Sequence, residues 1–146
     1  MLKLASSSWD DKEIAAINRV IESDNYSMGK EVKEFEESFA KYIGSKYSVM
    51  VNSGSSANLL AVACLMYRGE EKKRLKRGDE IIVPAVSWST SYFPFQQFGM
   101  KLKFVDIDKY TLNYNMTDLK NSVTEKTKAI LVVNLLGNPN SFEEID

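Results

Sequence analysis

The chain has 146 residues, with 19 lysines and arginines against 20 aspartates and glutamates, and it contains one cysteine and no histidine. A near-neutral balance without long blocks of one sign argues against binding to nucleic acid or to a membrane surface. The lack of histidine excludes a histidine general base, a histidine-containing catalytic triad or a histidine-rich zinc site built from this chain alone.

No apolar stretch reaches the ~20 residues that span a bilayer, and the start of the chain lacks the long apolar region of a secretion signal. We therefore expect a cytoplasmic protein. Cys64 lies in the apolar run from Leu59 to Met66. A lone cysteine in such a run is expected to be a small buried apolar side chain rather than a metal ligand or a redox partner, and no metal site is expected.

Two amphipathic helices are predicted at the start of the chain. Apolar residues recur at helical spacing from Asp10 to Ser23, and Asp10 suits the N-cap. A second helical pattern runs from Val32 to Ile43, and the following Gly44 is typical of a helix C-cap. Residues 25–29 interrupt the periodicity between the two helices.

Beyond Gly44, short β-rich runs alternate with helical stretches. Residues 57–68 predict an almost wholly apolar helix, which needs neighbours on most of its sides. Strands that are apolar throughout are typical of a parallel sheet covered by helices on both faces. The predicted strands are Tyr47–Val51, Glu80–Val83, Leu102–Val105 and Ala129–Val133. We therefore expect an α/β fold with three layers, α/β/α, and a mainly parallel sheet.

Residues 141–146 begin a further amphipathic helix that stops with the chain. No internal repeat, low-complexity tract or linker divides the sequence. We therefore expect residues 1–146 to form two N-terminal helices and the first half of a larger domain that is cut short.

A serine-rich turn is the strongest local motif. The segment Val51–Leu60 passes from a predicted strand through Gly54 into an apolar helix, with Ser55 and Ser56 directly after the glycine. Such a turn points free backbone N–H groups and the positive end of the helix dipole at one spot, which suits a phosphate group. An equally acceptable interpretation is that the serines simply cap the helix.

Trp88 follows the next predicted strand, in the segment Pro84–Thr90. Ligands of open α/β sheets bind outside the carboxyl ends of the strands, so this indole could lie against a flat cofactor. The alternative is a tryptophan packed in the core or in a subunit interface. Asp106 and Asp108, which follow another strand, are expected to serve as turn residues rather than as catalytic acids.

Together these motifs resemble the DegT/DnrJ/EryC1/StrS family of sugar aminotransferases and dehydratases, which are fold-type I pyridoxal-phosphate enzymes. The resemblance covers the whole chain in order. It rests on the serine-rich turn and on Ser27–Gly29, Val32–Glu36, Gly78–Pro84, Phe104–Asp108, Thr127–Ile130 and Leu136–Pro139. Within the family, the serine-rich turn resembles the 3-dehydratases of both GDP-linked and CDP-linked sugars, whereas the segments Pro84–Thr90 and Asn134–Asn140 look more like the GDP-sugar enzymes.

The resemblance implies a fold-type I large domain that binds pyridoxal 5′-phosphate or pyridoxamine 5′-phosphate. The implied site residues are Gly54, Ser55 and Ser56 for the cofactor phosphate, Trp88 for stacking on the pyridine ring, and Ser27, Met28 and Gly29 for the substrate. The implied catalytic base, histidine in dehydratases and lysine in aminotransferases, falls after residue 146. No catalytic residue is therefore expected within the chain, and residues 1–146 alone are expected to be inactive.

The implied activity is removal of the C3 hydroxyl of a nucleotide-linked 4-keto-6-deoxyhexose in deoxysugar and polysaccharide biosynthesis. A sugar aminotransferase of the same family is the alternative, with glutamate as a possible amino donor. Both types act on nucleotide sugars, and the complete protein is expected to be a homodimer. An alternative of another class is a non-catalytic α/β module that binds a phosphorylated ligand through the same turn.

Overall fold

The structure is a computed structural model that describes residues 5–146. The first four residues, on which the expectation of no secretion signal partly rests, lie outside the described residues. The chain divides into two compact units, Met1–Met50 and Val51–Asp146. The elements in chain order are α1 Asp11–Ser23, α2 Lys30–Ile43, α3 Gly54–Tyr67, β1 Glu80–Pro84, α4 Ser89–Gln97, β2 Lys101–Val105, α5 Met116–Ser122, β3 Thr127–Ile130 and α6 Phe142–Ile145, with short 3-10 helices at Glu71–Lys73 and Leu135–Gly137.

The first unit contains the two predicted amphipathic helices. Asp10 caps α1, because its carboxylate accepts the Lys12 N–H at 2.7 Å while the Glu13 carboxylate accepts the Asp10 N–H at 2.7 Å. This reciprocal pair is a capping box, which satisfies two amides that the helix itself leaves free. α2 ends at Gly44, whose φ of 79° lies in the left-handed region that glycine adopts without steric cost. Both helices are confirmed to within two residues at their ends.

The strand predicted at Tyr47–Val51 is not formed. These residues lie outside every strand, and the three-stranded sheet of residues 5–146 does not include them. The Met50 N–H instead donates to the Glu36 carboxylate at 2.8 Å. An apolar run becomes a strand only when a neighbouring strand accepts its backbone hydrogen bonds, and the sequence pattern carries no information on that partner.

The second unit contains a parallel sheet with strand order β2-β1-β3. The central strand β1 is the best buried, with Ile81, Ile82 and Val83 all inaccessible to solvent. Ile81 and Val83 pack on one face with Val62 of α3 and Phe95 of α4. Ile82 packs on the other face in a cluster that includes Leu119 of α5, with Ile145 of α6 packed against that cluster. Helices thus cover both faces, which confirms the three-layer architecture and the parallel sheet.

Helix α3 differs from the prediction in the residue at which it begins and in how much of its surface is buried. It begins at Gly54, three residues before the predicted start, so the serine-rich turn forms its first helical turn. Val62 is its one buried residue, and Cys64 is exposed, so the prediction of a buried cysteine is wrong. The helix is apolar on every side, whereas the described part of the second unit covers mainly the side that carries Val62. Composition alone does not say which side that is.

Candidate functional site

The first turn of α3 is organised by serine side chains. Ser53 is the N-cap residue, in an extended conformation, and its hydroxyl accepts the Ser56 N–H at 3.2 Å. The Ala57 N–H donates to the Ser53 carbonyl at 3.0 Å, which starts the regular helical ladder. The serine cap that sequence reasoning offered as an alternative is therefore present, and it coexists with unused donors in the same turn.

The same turn contains hydrogen-bond donors that remain unused. Within residues 5–146, the N–H groups of Gly54 and Ser55 have no backbone acceptor, and the Ser55 hydroxyl has no partner. A Cβ built on Gly54 would meet no atom within 4 Å, so the space beside this glycine is open. Free amides, a free hydroxyl and the positive end of a 14-residue helix form a donor set that fits a phosphate group.

Trp88 lies at the carboxyl end of β1, immediately before α4. It occupies the N-cap position of α4 without a capping side-chain hydrogen bond. Its side chain is 74% exposed, which excludes the alternative of a tryptophan packed in the core of this unit. The exposed indole leaves a ring face available for stacking, and contact with a cofactor ring stays a prediction.

Helices α3 and α4 pack on each other, which brings the serine-rich turn near the element that follows Trp88. The Asn58 side-chain amide donates to the Thr90 carbonyl at 3.4 Å. A cleft of about 240 Å³ runs between the first turn of α3 and α4, and its walls include Ser55, Ser56, Leu59, Thr90, Phe93 and Gln97. The turn and the start of α4 therefore belong to one surface region.

Ser87 is a further candidate site residue, which sequence reasoning did not single out. Its Oγ is buried and has no hydrogen-bond partner within the described residues, and it stands one position before Trp88. The nearby Tyr92 hydroxyl donates to the Pro84 carbonyl at 2.7 Å, and burial raises the pKa of Tyr92. Buried hydroxyls normally have partners, so Ser87 adds an unused donor beside Trp88. A serine in a loop gives no sequence signal of such burial.

The loop at Ser27, Met28 and Gly29 belongs to the first unit. Met28 adopts the left-handed conformation with φ of 53° and its side chain is 78% exposed. Gly29 caps α2 by its backbone, and a Cβ there would come within 3.1 Å of the Asn25 side chain. A cavity of about 540 Å³ lies beside this loop, with Arg19, Tyr26, Ser27, Gly29 and Lys30 among its walls. The substrate contact of this loop stays a prediction.

The two aspartates after β2 have structural roles, as expected. Asp108 Oδ1 accepts the N–H groups of Thr111 at 2.8 Å and Tyr110 at 3.0 Å. The Thr111 and Tyr110 hydrogen bonds lower the pKa of Asp108 below its ordinary value. Asp106 accepts the N–H of the next residue, Ile107, at 2.8 Å. Such bonds are typical of turn residues that hold their own backbone.

Two further classes of site receive no support. No group of three or more histidine, cysteine, aspartate or glutamate side chains within residues 5–146 is arranged to hold a metal ion. None of the helices in the described part of the chain combines the length and the apolar character that crossing a membrane requires.

Comparison with known proteins gives consistent matches along the chain. The model of the DegT/DnrJ/EryC1/StrS aminotransferase family matches residues 7–146. The GDP-4-keto-6-deoxy-D-mannose 3-dehydratase of Yersinia pseudotuberculosis is 62% identical over 97% of this chain and 36% of its own length. A dTDP-3-amino-3,6-dideoxy-alpha-D-galactopyranose transaminase of Aneurinibacillus thermoaerophilus is 35% identical over 92% of this chain and 35% of its own length.

A crystal structure of GDP-4-keto-6-deoxymannose-3-dehydratase, with a trapped PLP-glutamate geminal diamine, superposes with a TM-score of 0.90. It is 61% identical to this chain and covers 98% of it, whereas the match covers 36% of that protein. The chain thus spans just over a third of the length of these relatives. Because the family model matches nearly every residue, the chain belongs to the DegT/DnrJ/EryC1/StrS aminotransferase family.

Proposed function

We propose that the chain is the amino-terminal third of a B6-dependent enzyme that removes the C3 hydroxyl of a nucleotide-linked 4-keto-6-deoxyhexose. The observation that carries the proposal is 62% identity, over almost the whole chain, to a protein named as a GDP-4-keto-6-deoxy-D-mannose 3-dehydratase. The transaminase relative is much less similar, at 35% identity. We therefore favour dehydration and a GDP-linked sugar over amino transfer.

The proposed cofactor is pyridoxamine 5′-phosphate, which alternates with pyridoxal 5′-phosphate. Its phosphate would accept hydrogen bonds from the N–H groups of Gly54 and Ser55 and from the Ser55 hydroxyl, which are unused in residues 5–146. Ser56 belongs to the same proposed site, where its own hydroxyl and N–H are bonded within the turn. When bound, the pyridine ring supplies a sink for the electron pair that forms during elimination. The residues of this chain bind and orient the cofactor.

The ring and the substrate would be held by residues outside that turn. We propose that the exposed indole of Trp88 stacks on the pyridine ring of the cofactor. Such an aromatic pair would stabilise the bound ring beyond the effect of the surface area that it buries. Ser27, Met28 and Gly29 would contact the nucleotide sugar, and the exposed, left-handed Met28 lies at the centre of this loop. The base that moves the proton would come from residues after position 146, together with the rest of the large domain.

Glutamate is the proposed reductant of the cycle, because the related dehydratase was trapped with a PLP-glutamate adduct. The net reaction then replaces the C3–OH bond by C3–H, oxidises glutamate to 2-oxoglutarate and releases its amino group as ammonia. An aminotransferase would instead keep that nitrogen on the sugar. A cytoplasmic homodimer is the proposed working form, as in the sequence-based expectation.

The test uses the complete protein with GDP-4-keto-6-deoxymannose, glutamate and cofactor. We expect a product that has lost one oxygen atom by mass spectrometry, with ammonia formed in step with 2-oxoglutarate. A product in which an amino group replaces the keto oxygen, without free ammonia, would establish the aminotransferase alternative. Cofactor binding without conversion of any 4-keto sugar would favour a non-catalytic binding module.

A further inference from the structure

A chain of hydrogen bonds ties the side chains behind the serine-rich turn to one another. The Ser53 hydroxyl donates to Ser56 Oγ at 3.2 Å, and Ser56 Oγ donates in turn to Asn52 Oδ1 at 2.6 Å. Ser53 Oγ also accepts the Ser56 N–H. The hydroxyl protons of Ser53 and Ser56 are therefore both used in hydrogen bonds within the turn. Asn52 is the final acceptor of this series. Hydrogen bonds in such a series polarise one another and strengthen together.

The arrangement divides the turn into two sets of donors. The Ser56 hydroxyl and N–H are bonded within the turn, whereas the N–H groups of Gly54 and Ser55 remain free within residues 5–146. A serine hydroxyl rotates freely unless an acceptor fixes it. In this turn the acceptor is the Asn52 amide oxygen, which therefore determines where the Ser56 proton points.

We propose that Asn52 is a positioning residue for the phosphate site: it orients the Ser56 hydroxyl and so fixes the turn that presents the Gly54 and Ser55 amides. This inference rests on the proposed cofactor site. Asn52 is suited to the role because its amide oxygen accepts the hydrogen bond without a formal charge. An aspartate at the same position would accept the same bond but would place a negative charge behind the turn that receives a dianion.

Asn52→Asp separates this role from a purely structural one. The carboxylate keeps the acceptor and is compatible with a helix N-terminus, so the fold is expected to be retained. Affinity of the complete protein for pyridoxamine 5′-phosphate is expected to fall about tenfold, through repulsion of like charges a few ångströms apart. Affinity for pyridoxamine, which lacks the phosphate, is expected to change by less than about twofold because that repulsion is missing.

Asn121→Asp is the matched control, because Asn121 is an exposed residue of α5 in the same unit and makes no side-chain hydrogen bond with the described residues. It adds the same charge away from the turn and should leave both affinities unchanged. Calorimetric titration of both ligands measures the two constants without depending on turnover. The quantity to compare is the ratio of the affinity for pyridoxamine 5′-phosphate to the affinity for pyridoxamine. An equal ratio in Asn52→Asp and Asn121→Asp would overturn the inference.

Alanine variants test whether Asn52 acts through Ser56. Asn52→Ala is expected to weaken pyridoxamine 5′-phosphate binding about threefold to tenfold, the usual effect of losing one hydrogen bond. In a Ser56→Ala background the same change should have almost no further effect, because the two residues form one unit. Additive losses would refute the coupling. If the wild-type protein itself binds pyridoxamine as tightly as its phosphate, the proposed cofactor site fails instead, whatever the variants do.

Discussion

The phenol of Tyr114 donates a hydrogen bond of 2.8 Å to the carbonyl oxygen of Leu131, just beyond the end of β3. Tyr114 is only 3% exposed and packs with Ile82 and Val105 beneath the sheet. The bond therefore joins the segment after β2 to the segment after β3. Both segments follow the carboxyl ends of strands, as Trp88 follows the carboxyl end of β1.

Tyr114→Phe should lower the free energy of unfolding by about 1–2 kcal/mol, because the partly buried Leu131 carbonyl loses its partner. Tyr110→Phe is the control: Tyr110 is exposed, its hydroxyl makes no hydrogen bond within residues 5–146, and the change should stay within about 0.5 kcal/mol. Urea unfolding of the complete protein measures both. Equal stabilities of the two variants would show that the Tyr114 bond contributes nothing net.

The same phenol predicts a loss of stability at alkaline pH. Burial raises the pKa of Tyr114 above its ordinary value of 10.0, so the folded state holds this proton more tightly than the unfolded state. Its contribution is complete below that ordinary value and is lost progressively as the pH rises above it. The stability of the wild-type protein minus that of Tyr114→Phe should therefore fall as the pH rises above about 10. Parallel curves for the two proteins would contradict this assignment.

Gly54 and Gly44 should respond to alanine in opposite ways. Gly54 lacks a positive φ and has open space where a Cβ would stand, so Gly54→Ala should leave stability unchanged or raise it by about 0.5 kcal/mol. The added methyl group would occupy space that the proposed phosphate needs, and affinity for pyridoxamine 5′-phosphate should fall about tenfold or more. Gly44→Ala should instead cost about 1 kcal/mol of stability, because φ is 79° there, and should leave affinity unchanged.

Calorimetric titration and urea unfolding of both glycine variants give the four numbers. Normal cofactor affinity in Gly54→Ala would show that no ligand approaches this glycine closely. Weakened affinity in Gly44→Ala would show that a damaged helix end is enough to disturb the site.

Trp88 should contribute to binding of the ligand's ring and not to binding of its phosphate group. Trp88→Ala is expected to lower the affinity for pyridoxamine 5′-phosphate and the affinity for pyridoxamine to the same extent, about threefold to tenfold, because an aromatic contact is lost. Trp88→Phe should recover much of the affinity, and Trp9→Ala, which removes another exposed indole, should have no effect. Titration of both ligands against the three variants measures this. Unchanged affinity in Trp88→Ala would remove the stacking role.

Local signals account for the parts of the fold that the sequence predicted well. The capping box at Asp10 and the left-handed glycine at Gly44 are decided by a few neighbouring residues, and both helix ends agree with prediction. The missing strand at 47–51 and the exposure of Cys64 depend on which partners are present, and periodicity does not encode partners. Local apolar character was therefore a good guide to elements and a poor guide to their surroundings.

The candidate site shows the same division. The glycine and serines at 54–56 stand out because their residue types suit a phosphate, although their weak helix propensity hid that α3 starts at Gly54. Ser87 and Asn52 became visible only with coordinates, the first through a buried hydroxyl without a partner and the second through a short hydrogen bond. Neither property can be read from a serine or an asparagine in a sequence.

The strand order β2-β1-β3 places β2 and β3 on opposite sides of the central strand β1. From β1 the chain crosses through α4 to β2 on one side, and from β2 it returns through α5 past β1 to β3 on the other. The gap between the carboxyl ends of β1 and β3 is consequently a topological switch point, the crevice that α/β sheets leave open for ligands. Trp88 lies in the loop that follows β1, one of the two strands beside that crevice. The order of the strands therefore places Trp88 near a ligand-binding position, independently of its suitability for stacking.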